Sequence, residues 1–512
     1  MTLKEKIYQL FLSHIRDIKK EGDIKRFFEK YPVGGVYFSQ FDVEDVGSLM
    51  KSAANTTRGF IQECRDTAGH QLVMCVDSAL IEDGLRLFPS AVSAAGDDEL
   101  FKEFGDAFAT QLVYNDIDIV FGPCIDMVFQ RLADFNSKTC IESPEYNVRM
   151  HAPIVKAIQD HGVAATVKHF PGQGTYHVNF HYGPARNILD FETWKRTFGY
   201  CYQKMIDQDV MCIMTSHMSL LSYCSESEEG FPPIATYSSR ITQDLLKKEM
   251  GFRGAVVTDA LVMGGMAVGD QVKEAVQAFK CGADFLLWAP LEAADAIEEK
   301  LLSGEIPMSR LEDALQRTQR VRDFVRQNKQ TAPADPKEKV NAFARKSYAC
   351  AAELLKNQSD ALPLQKTDKI LVIGNAPDEN RMNQARRICE QLTAQGYDAT
   401  FQEYLLTCFQ EEINAICDPY DKIIFVLNHP TAVGEFQNCA STTWASHHVD
   451  KSKKIILNAS SPYLAEDYYP DEPVIINTNI ALTPEVAEIL VGQLSDVTSF
   501  RGKANITWTN LR

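Results

Sequence analysis

The feature that most constrains this sequence is a rhythm. Across residues 1 to about 330, short apolar runs alternate with longer stretches of helical spacing. The runs are Gly35–Phe38 (GVYF), Leu72–Val76 (LVMCV), Ile117–Phe121 (IDIVF), Ala164–His169 (AATVKH), Met211–Ser216 (MCIMTS), Ala255–Asp259 (AVVTD) and Phe285–Trp288 (FLLW), with Ile234–Tyr237 (IATY) as a weaker eighth. Strands separated by helices pair in parallel, and about eight such units over this length close into a barrel. Glu312–Gln327 is expected to be the closing helix. The opening MTLKEKIYQLFLSHIRDIKK sets Leu3, Ile7, Leu10 and Phe11 at helical spacing. It is expected to be an amphipathic helix rather than the apolar core of a signal peptide.

The rhythm breaks at Gln330–Lys339, QTAPADPKEK, where two prolines and four charges read as a linker. Phe343–Leu355 is expected to be helical. A second alternating set then follows: Lys369–Gly374 (KILVIG), Ile423–Leu427 (IIFVL), Lys454–Asn458 (KIILN) and Val474–Asn477 (VIIN). The expected architecture is α/β throughout. An N-terminal TIM-like (β/α)8 barrel covers residues 1–330, a linker 331–342, and a smaller α/β sandwich domain 343–512.

Charge and cysteine usage exclude several functions. The 512 residues carry a formal net charge of −17, which opposes nucleic-acid and anionic-membrane partners, since both need a basic patch. No run of about 18 apolar residues occurs, so no membrane span is expected. The 13 cysteines are dispersed, with no CxxC pair and no zinc-site spacing. Scattered thiols fit a reducing compartment, and a cytoplasmic protein is expected. No metal or organic cofactor is implied, and KILVIGNAP lacks the spacing of a nucleotide-binding loop.

In a (β/α) barrel the chemistry lies at the C-terminal ends of the strands. The polar residues that end the apolar runs are Asp77, Lys168, His169, His217 and Asp259. Any one of them could be a capping group. Two carboxylates, a lysine and two histidines at four strand ends point instead to a site. The sequence after one run, KHFPGQG at Lys168–Gly174, adds a rigid Pro-Gly turn with close backbone approach.

KHFPGQG resembles the KHFPGHG motif of glycoside hydrolase family 3, in its β-N-acetylglucosaminidase branch. MTLKEKIYQL, GGVYF, FPSAVSAAG, FGPCIDM and IATYSSRITQDLLKKEMGFRGAVVTDALVMGGM resemble successive family segments, and LLKNQSDALPL at Leu354–Leu364 resembles the start of the family's C-terminal α/β-sandwich domain. FRGKANITW loosely resembles that domain's closing strand. The resemblance implies a retaining double displacement on a sugar substrate. Asp259 matches the nucleophile, Lys168 and His169 the pair that holds sugar hydroxyls, and Asp77 the aspartate on the far side of the ring. His217 matches a supporting histidine. The branch uses a histidine acid/base in the pattern KHFPGHG-x-x-x-x-D-S-H, which an imidazole can serve near neutrality.

Here that loop reads KHFPGQGTYHVNFH. His181 falls on the acid/base position, with Asn179 in place of the aspartate, Phe180 of the serine and Gln173 of a histidine; His177 is a second imidazole in the same loop. Lys138, in NSKTCIESP, stands where the family has an arginine that binds sugar. The family's EGGR segment is reshaped to Asp77–Gly84, DSALIEDG. The expected function is an exo-acting β-N-acetylhexosaminidase with Asp259, His181 and Asn179 as catalytic residues and Asp77, Lys138, Lys168, His169 and His217 around the sugar. Two other readings are a phosphorylase or glycosidase for another sugar on the same barrel, and a sugar-binding protein without catalysis. The sequence leaves the oligomeric state open.

Overall fold

The computed structural model describes residues 1–38, 57–77, 85–131, 141–331, 334–429 and 440–507. Lys138 and most of DSALIEDG lie outside the described residues. The chain divides into two compact units. The first comprises Met1–Leu85, Phe101–Met127 and Ser143–Asn341, and the second Arg86–Leu100, Val128–Glu142 and Ala342–Arg512.

The first unit is built on ten strands: β1 (Phe11–His14), β2 (Gly35–Phe38), β3 (Val73–Val76), β4 (Ile119–Val120), β5 (Ala164–Phe170), β6 (Ala185–Asn187), β7 (Cys212–Thr215), β8 (Met218–Leu220), β9 (Ala255–Thr258) and β10 (Leu286–Leu287). Eight of them form one parallel sheet in the order β10-β1-β2-β3-β4-β5-β7-β9, and a bridge from Val257 to Phe285 joins its two ends. This is the expected barrel, with two changes of membership. The opening helix stops at Tyr8 and the next residues form β1. Leu10, Phe11 and Leu12 are consecutive and all fully buried. One helical stripe cannot hide three neighbours, whereas a strand covered on both faces can. Ile234–Tyr237 was the expected eighth strand; Ala235–Tyr237 is a single 3-10 turn instead.

Side chains alternate along each strand, so one phase points inward. Leu12, Cys75, Ile119, Ala164, Val257 and Leu287 fill the barrel. The same phase continued past these residues brings His14, Tyr37, Asp77, Lys168 and Asp259 to the C-terminal mouth.

The opposite end is plugged. Helix Met308–Asn328 lies across the strand starts and donates to their carbonyls: Arg317 Nη1 to Gly254 at 2.9 Å, and Arg322 Nη2 to Gln9 at 2.6 Å. Two buried aspartates there act as matching staples. Asp118 precedes β4, accepts the Met74 N–H from β3 at 2.8 Å, and pairs with Arg65 and Lys329. Asp284 precedes β10, accepts the Val256 N–H from β9 at 2.8 Å, and pairs with Arg310 and Lys247.

The second unit carries a six-stranded sheet of β11 (Glu353–Asn357), β12 (Lys369–Asn375), β13 (Asp398–Gln402), β14 (Lys422–Leu427), β15 (Lys454–Asn458) and β16 (Val474–Asn477), in the order β11-β16-β15-β14-β12-β13. All pairings are parallel except β11 against β16. Its core joins Leu371, Ile373, Phe425, Ile456 and Ile475. The helix expected over Phe343–Leu355 ends at Ala349, and Glu353 onward turns into the edge strand. In FRGKANITW the described residues form no strand, and Asn505 makes an isolated bridge to Ile141. Among the described residues no helix is long and apolar enough to cross a membrane.

Removing Asp284 leaves the buried Arg310 and Lys247 with only the partly exposed Asp313 as counter-charge, and breaking a buried pair in this way costs up to about 3–5 kcal/mol. Asp284→Ala is expected to lower the urea midpoint accordingly, while turnover per folded molecule stays unchanged because the mouth is at the other end. A midpoint equal to that of the wild type would remove the staple from the account.

Candidate active site

The mouth is organised by a carboxylate that the sequence reading passed over. Asp126, in FGPCIDM, is fully buried. Its Oδ1 accepts the backbone N–H groups of His169 at 3.3 Å and Gln173 at 2.7 Å. Its Oδ2 lies 2.7 Å from His169 Nδ1 and accepts the Cys124 thiol at 3.1 Å. A carboxylate only accepts, so the proton of a neutral His169 ring sits on Nδ1. One side chain thereby fixes the turn after β5 and the tautomer of its histidine. A signal is present in the sequence: an acid flanked by Ile125 and Met127 shortly after a strand is placed for burial, and a buried acid needs partners. Cys124, Asp126 and His169 also offer three potential metal-ligand atoms within 4.8 Å of one another; here they are hydrogen-bonded among themselves.

The turn that follows is held from several sides. Gly172 adopts φ +113°, and a Cβ there would meet the Phe198 ring at 2.2 Å, so only glycine fits. Trp194 Nε1 donates to the Pro171 carbonyl at 2.7 Å. The loop then runs out to Asn179 and His181. Asn179 Oδ1 is 2.9 Å from the His181 backbone N–H and 2.6 Å from its Nδ1. A backbone N–H can only donate, so the facing amide atom is the oxygen. His181 Nδ1 therefore carries a proton, and the lone pair of the neutral ring lies on Nε2. Phe180, buried between the histidines, has its ring 4.3 Å from that of His181 and 5.5 Å from that of His169. His177 is exposed and lies against Tyr176, with ring centroids 4.7 Å apart.

Asp259 follows β9 and is 6% exposed. Its backbone N–H donates to the Thr215 carbonyl at 3.0 Å, tying it to the end of β7. Oδ1 accepts the Ala260 N–H at 2.8 Å. Among the described residues, Oδ2 is buried without a hydrogen-bond partner. His169 Nε2 lies 3.8 Å from it. A buried carboxylate oxygen left unpaired is costly, and it is the atom a nucleophile needs exposed to its substrate.

The segment after Asp259 carries the His181 loop. Gly264 N–H donates to the His181 carbonyl at 2.9 Å, and a Cβ on Gly265 would sit 2.0 Å from the Phe180 carbonyl oxygen. His217 is buried beneath the same segment. Its Nδ1 meets Thr236 Oγ1 at 2.8 Å and its Nε2 the Ala260 carbonyl at 3.1 Å. Burial lowers its pKa against the opposing pull of Asp259 and the Ala260 carbonyl. The neutral ring therefore donates from Nε2 to Ala260 and accepts from Thr236. With both nitrogens engaged, His217 suits holding the backbone after Asp259.

Lys168 forms an ion pair with Asp77 across the mouth. Burial works against the ammonium, but Asp77, and beyond it Asp259, outweigh this and raise its pKa. Asp77, Lys168, His169, His217, Asp259, Asn179 and His181 thus all belong to one unit: Lys168 pairs with Asp77, His169 lies against Asp259, and His181 and His217 are both bonded to the segment that follows Asp259. Lys138, the remaining expected member, lies outside the described residues.

The profile of the glycosyl hydrolase family 3 N-terminal domain matches residues 2–321. The chain belongs to this family and is a glycoside hydrolase by fold and lineage. A β-N-acetylglucosaminidase/β-glucosidase of Cellulomonas fimi is 25% identical over 426 residues, covering 76% of this chain and 74% of its own length. A β-hexosaminidase of Nitrosomonas eutropha is 26% identical over 219 residues, covering 42% of this chain and 60% of that protein. Among solved structures, a β-glucoside phosphorylase superposes with a TM-score of 0.86 at 20% identity, over 99% of this chain and 94% of the other. A family 3 β-N-acetylglucosaminidase from a Paenibacillus species gives 0.82 at 22% identity, over 100% and 99%.

The contact of Gly265 with Phe180 gives a direct test of this geometry. Gly265→Ala must push the His181 loop away, and a displacement of about 1 Å costs on the order of 100-fold in rate. That loss in kcat/KM is expected with the far-UV circular dichroism unchanged. Wild-type kcat/KM would show that the loop position does not matter.

Proposed function

We propose that the protein is a retaining, exo-acting β-glycosidase for β-linked N-acetylhexosamine, above all N-acetylglucosamine, with Asp259 as nucleophile and His181 as acid/base oriented by Asn179. The observation that carries this reading is the unpaired, buried Oδ2 of Asp259 at a strand end, with a histidine tied to the segment that follows it. Asp77, Lys168 and His169 hold sugar hydroxyls, with Lys138 as a further candidate, and His217 positions the Asp259 backbone. The names of the Cellulomonas and Nitrosomonas relatives support the choice of sugar. The eleven described cysteines are all free thiols, which supports the cytoplasm as the compartment.

In the first half-reaction Asp259 Oδ2 attacks the anomeric carbon while the imidazolium of His181 gives the Nε2 proton to the departing oxygen. In the second, neutral His181 takes a proton from water through Nε2, the oxygen of that water bonds to the anomeric carbon, and Asp259 is released. Asn179 fixes the tautomer through Oδ1 but brings no negative charge. An amide cannot stabilise imidazolium as a carboxylate would.

That neutrality favours one second reading. An anionic acceptor such as phosphate meets no carboxylate at position 179, and attack by phosphate in place of water releases a glycosyl phosphate. Assays on chromogenic β-glycosides with and without phosphate separate the two, since phosphorolysis makes turnover phosphate-dependent. Silence on every glycoside in both conditions, with sugar binding retained, would support loss of catalysis instead.

Two substitutions test the acid/base role. His181→Ala is expected to slow substrates with poor leaving groups by about 100-fold or more, and activated aryl glycosides far less. In Asn179→Asp, the limb on which activity falls with rising pH is expected at higher pH, because the new carboxylate keeps the imidazolium protonated longer. Equal effects of His181→Ala on both substrate classes would place the proton donor elsewhere, with His177 next in line.

A further inference from the structure

The polar groups occupy only part of the barrel mouth. The arc formed by β10, β1 and β2 ends in rings. His14 and Trp288 stack with centroids 3.8 Å apart and planes 11° from parallel. His14 meets the Tyr37 ring edge-on at 5.4 Å, and Tyr37 meets Phe121 at 5.4 Å. His14 is buried, while Tyr37 and Trp288 remain half-buried at the rim. Both pack against the barrel-core cluster that includes Leu12, Phe121, Leu287 and Ala260. Backbone bonds place Trp288 between the two strands that matter: its N–H donates to Leu12, and the Leu261 N–H donates to the carbonyl of Leu287.

Two observations indicate that the indole is held there for a purpose. Trp288 has φ +51°, in the left-handed region that a bulky side chain rarely enters. The other described non-glycine residues with positive φ are Asp116, Asp209, Glu229 and Asn479, all small or flexible acids and amides. Such an outlier persists only where the surroundings over-determine it, and it gathers at ligand sites. The stack on His14 then fixes the plane of the ring without closing its rim to solvent.

We infer that Tyr37 and Trp288 form an aromatic platform that receives the C–H face of the sugar whose hydroxyls are held by Asp77 and Lys168. This rests on the proposed glycosidase reading. A pyranoside with equatorial substituents carries its hydroxyls around the ring edge and axial C–H bonds on its faces. A mouth with ion-paired groups on one arc and rings on the other matches that division. His14 and Tyr37 are register partners, and Tyr37 is paired in turn with Cys75, two residues before Asp77, which brings the ring cluster beside the Asp77 end of the mouth.

Tryptophan emission reads this contact directly, using the full chain with Asp259→Ala to prevent turnover. Titration with N-acetylglucosamine, and with glucose in parallel, is expected to change the emission. Trp288→Phe should abolish that change while calorimetry still detects binding. Trp288→Ala and Tyr37→Ala should each weaken binding by about tenfold or more. A sugar-dependent emission change that survives in Trp288→Phe, an unaltered Kd in both alanine variants, or no sugar binding in any form overturns the platform. Failure of the glycosidase reading looks different: Asp259→Ala would then retain turnover, while the Trp288 signal could persist.

Discussion

The candidate site depends on one buried carboxylate. Asp126 sits on the chain just after β4 and binds the turn just after β5 through two backbone N–H groups and one imidazole. It thereby sets where His169 points, and His169 Nε2 lies 3.8 Å from Asp259 Oδ2. The loop to His181 leaves from the same turn and returns to Gly264 and Gly265 beyond Asp259. The proposed nucleophile and acid/base are therefore connected by short, hydrogen-bonded backbone at both ends. Charge-assisted bonds of this kind, made where water is excluded, are stronger than their exposed counterparts.

The two ends of the barrel use buried carboxylates in opposite ways. At the strand starts Asp118 and Asp284 are saturated, each with a backbone N–H and two cations. These groups hold adjacent strands and the plugging helix together and have nothing left to offer a ligand. At the mouth Asp259 keeps one oxygen unsatisfied, and Lys168 is balanced by a half-exposed Asp77. Asp126 at the mouth is saturated like Asp118 and Asp284, so it is the open oxygen of Asp259 that sets one carboxylate apart from those that only hold backbone in place.

Much of this was legible in the sequence because strand-end position is a strong signal. AVVTD and VMCVD each place an acid directly after a buried run, and the fold carries both to the mouth. The preserved spacing from Lys168 to His181 likewise led to the Asn179–His181 pair. What escaped notice did so for physical reasons. Phe11–His14 was absorbed into a helical stripe, because Leu3, Ile7 and Leu10 have the right period and only the burial of three consecutive residues separates strand from helix. That misreading also hid His14, and with it the ring stack at the mouth. IATY has the composition of a strand, but no partner strand is available to it in the closed sheet. Asp126 is hidden by lying three residues beyond the Gly122-Pro123 pair, outside the apolar run Ile117–Phe121. His217 was found by position, yet the partners that occupy both its nitrogens, Thr236 and Ala260, are 19 and 43 residues away and invisible to local reasoning.

The central claim is that Asp259 forms a covalent bond with the sugar. It is tested most directly by incubating the protein with a fluorinated, slowly released β-glycoside that carries an activated leaving group, followed by mass spectrometry of the digested chain. The account requires a glycosyl adduct on the peptide containing Asp259, absent from Asp259→Ala. An adduct on a different carboxylate, or continued turnover of this probe with no adduct at any residue, would contradict it.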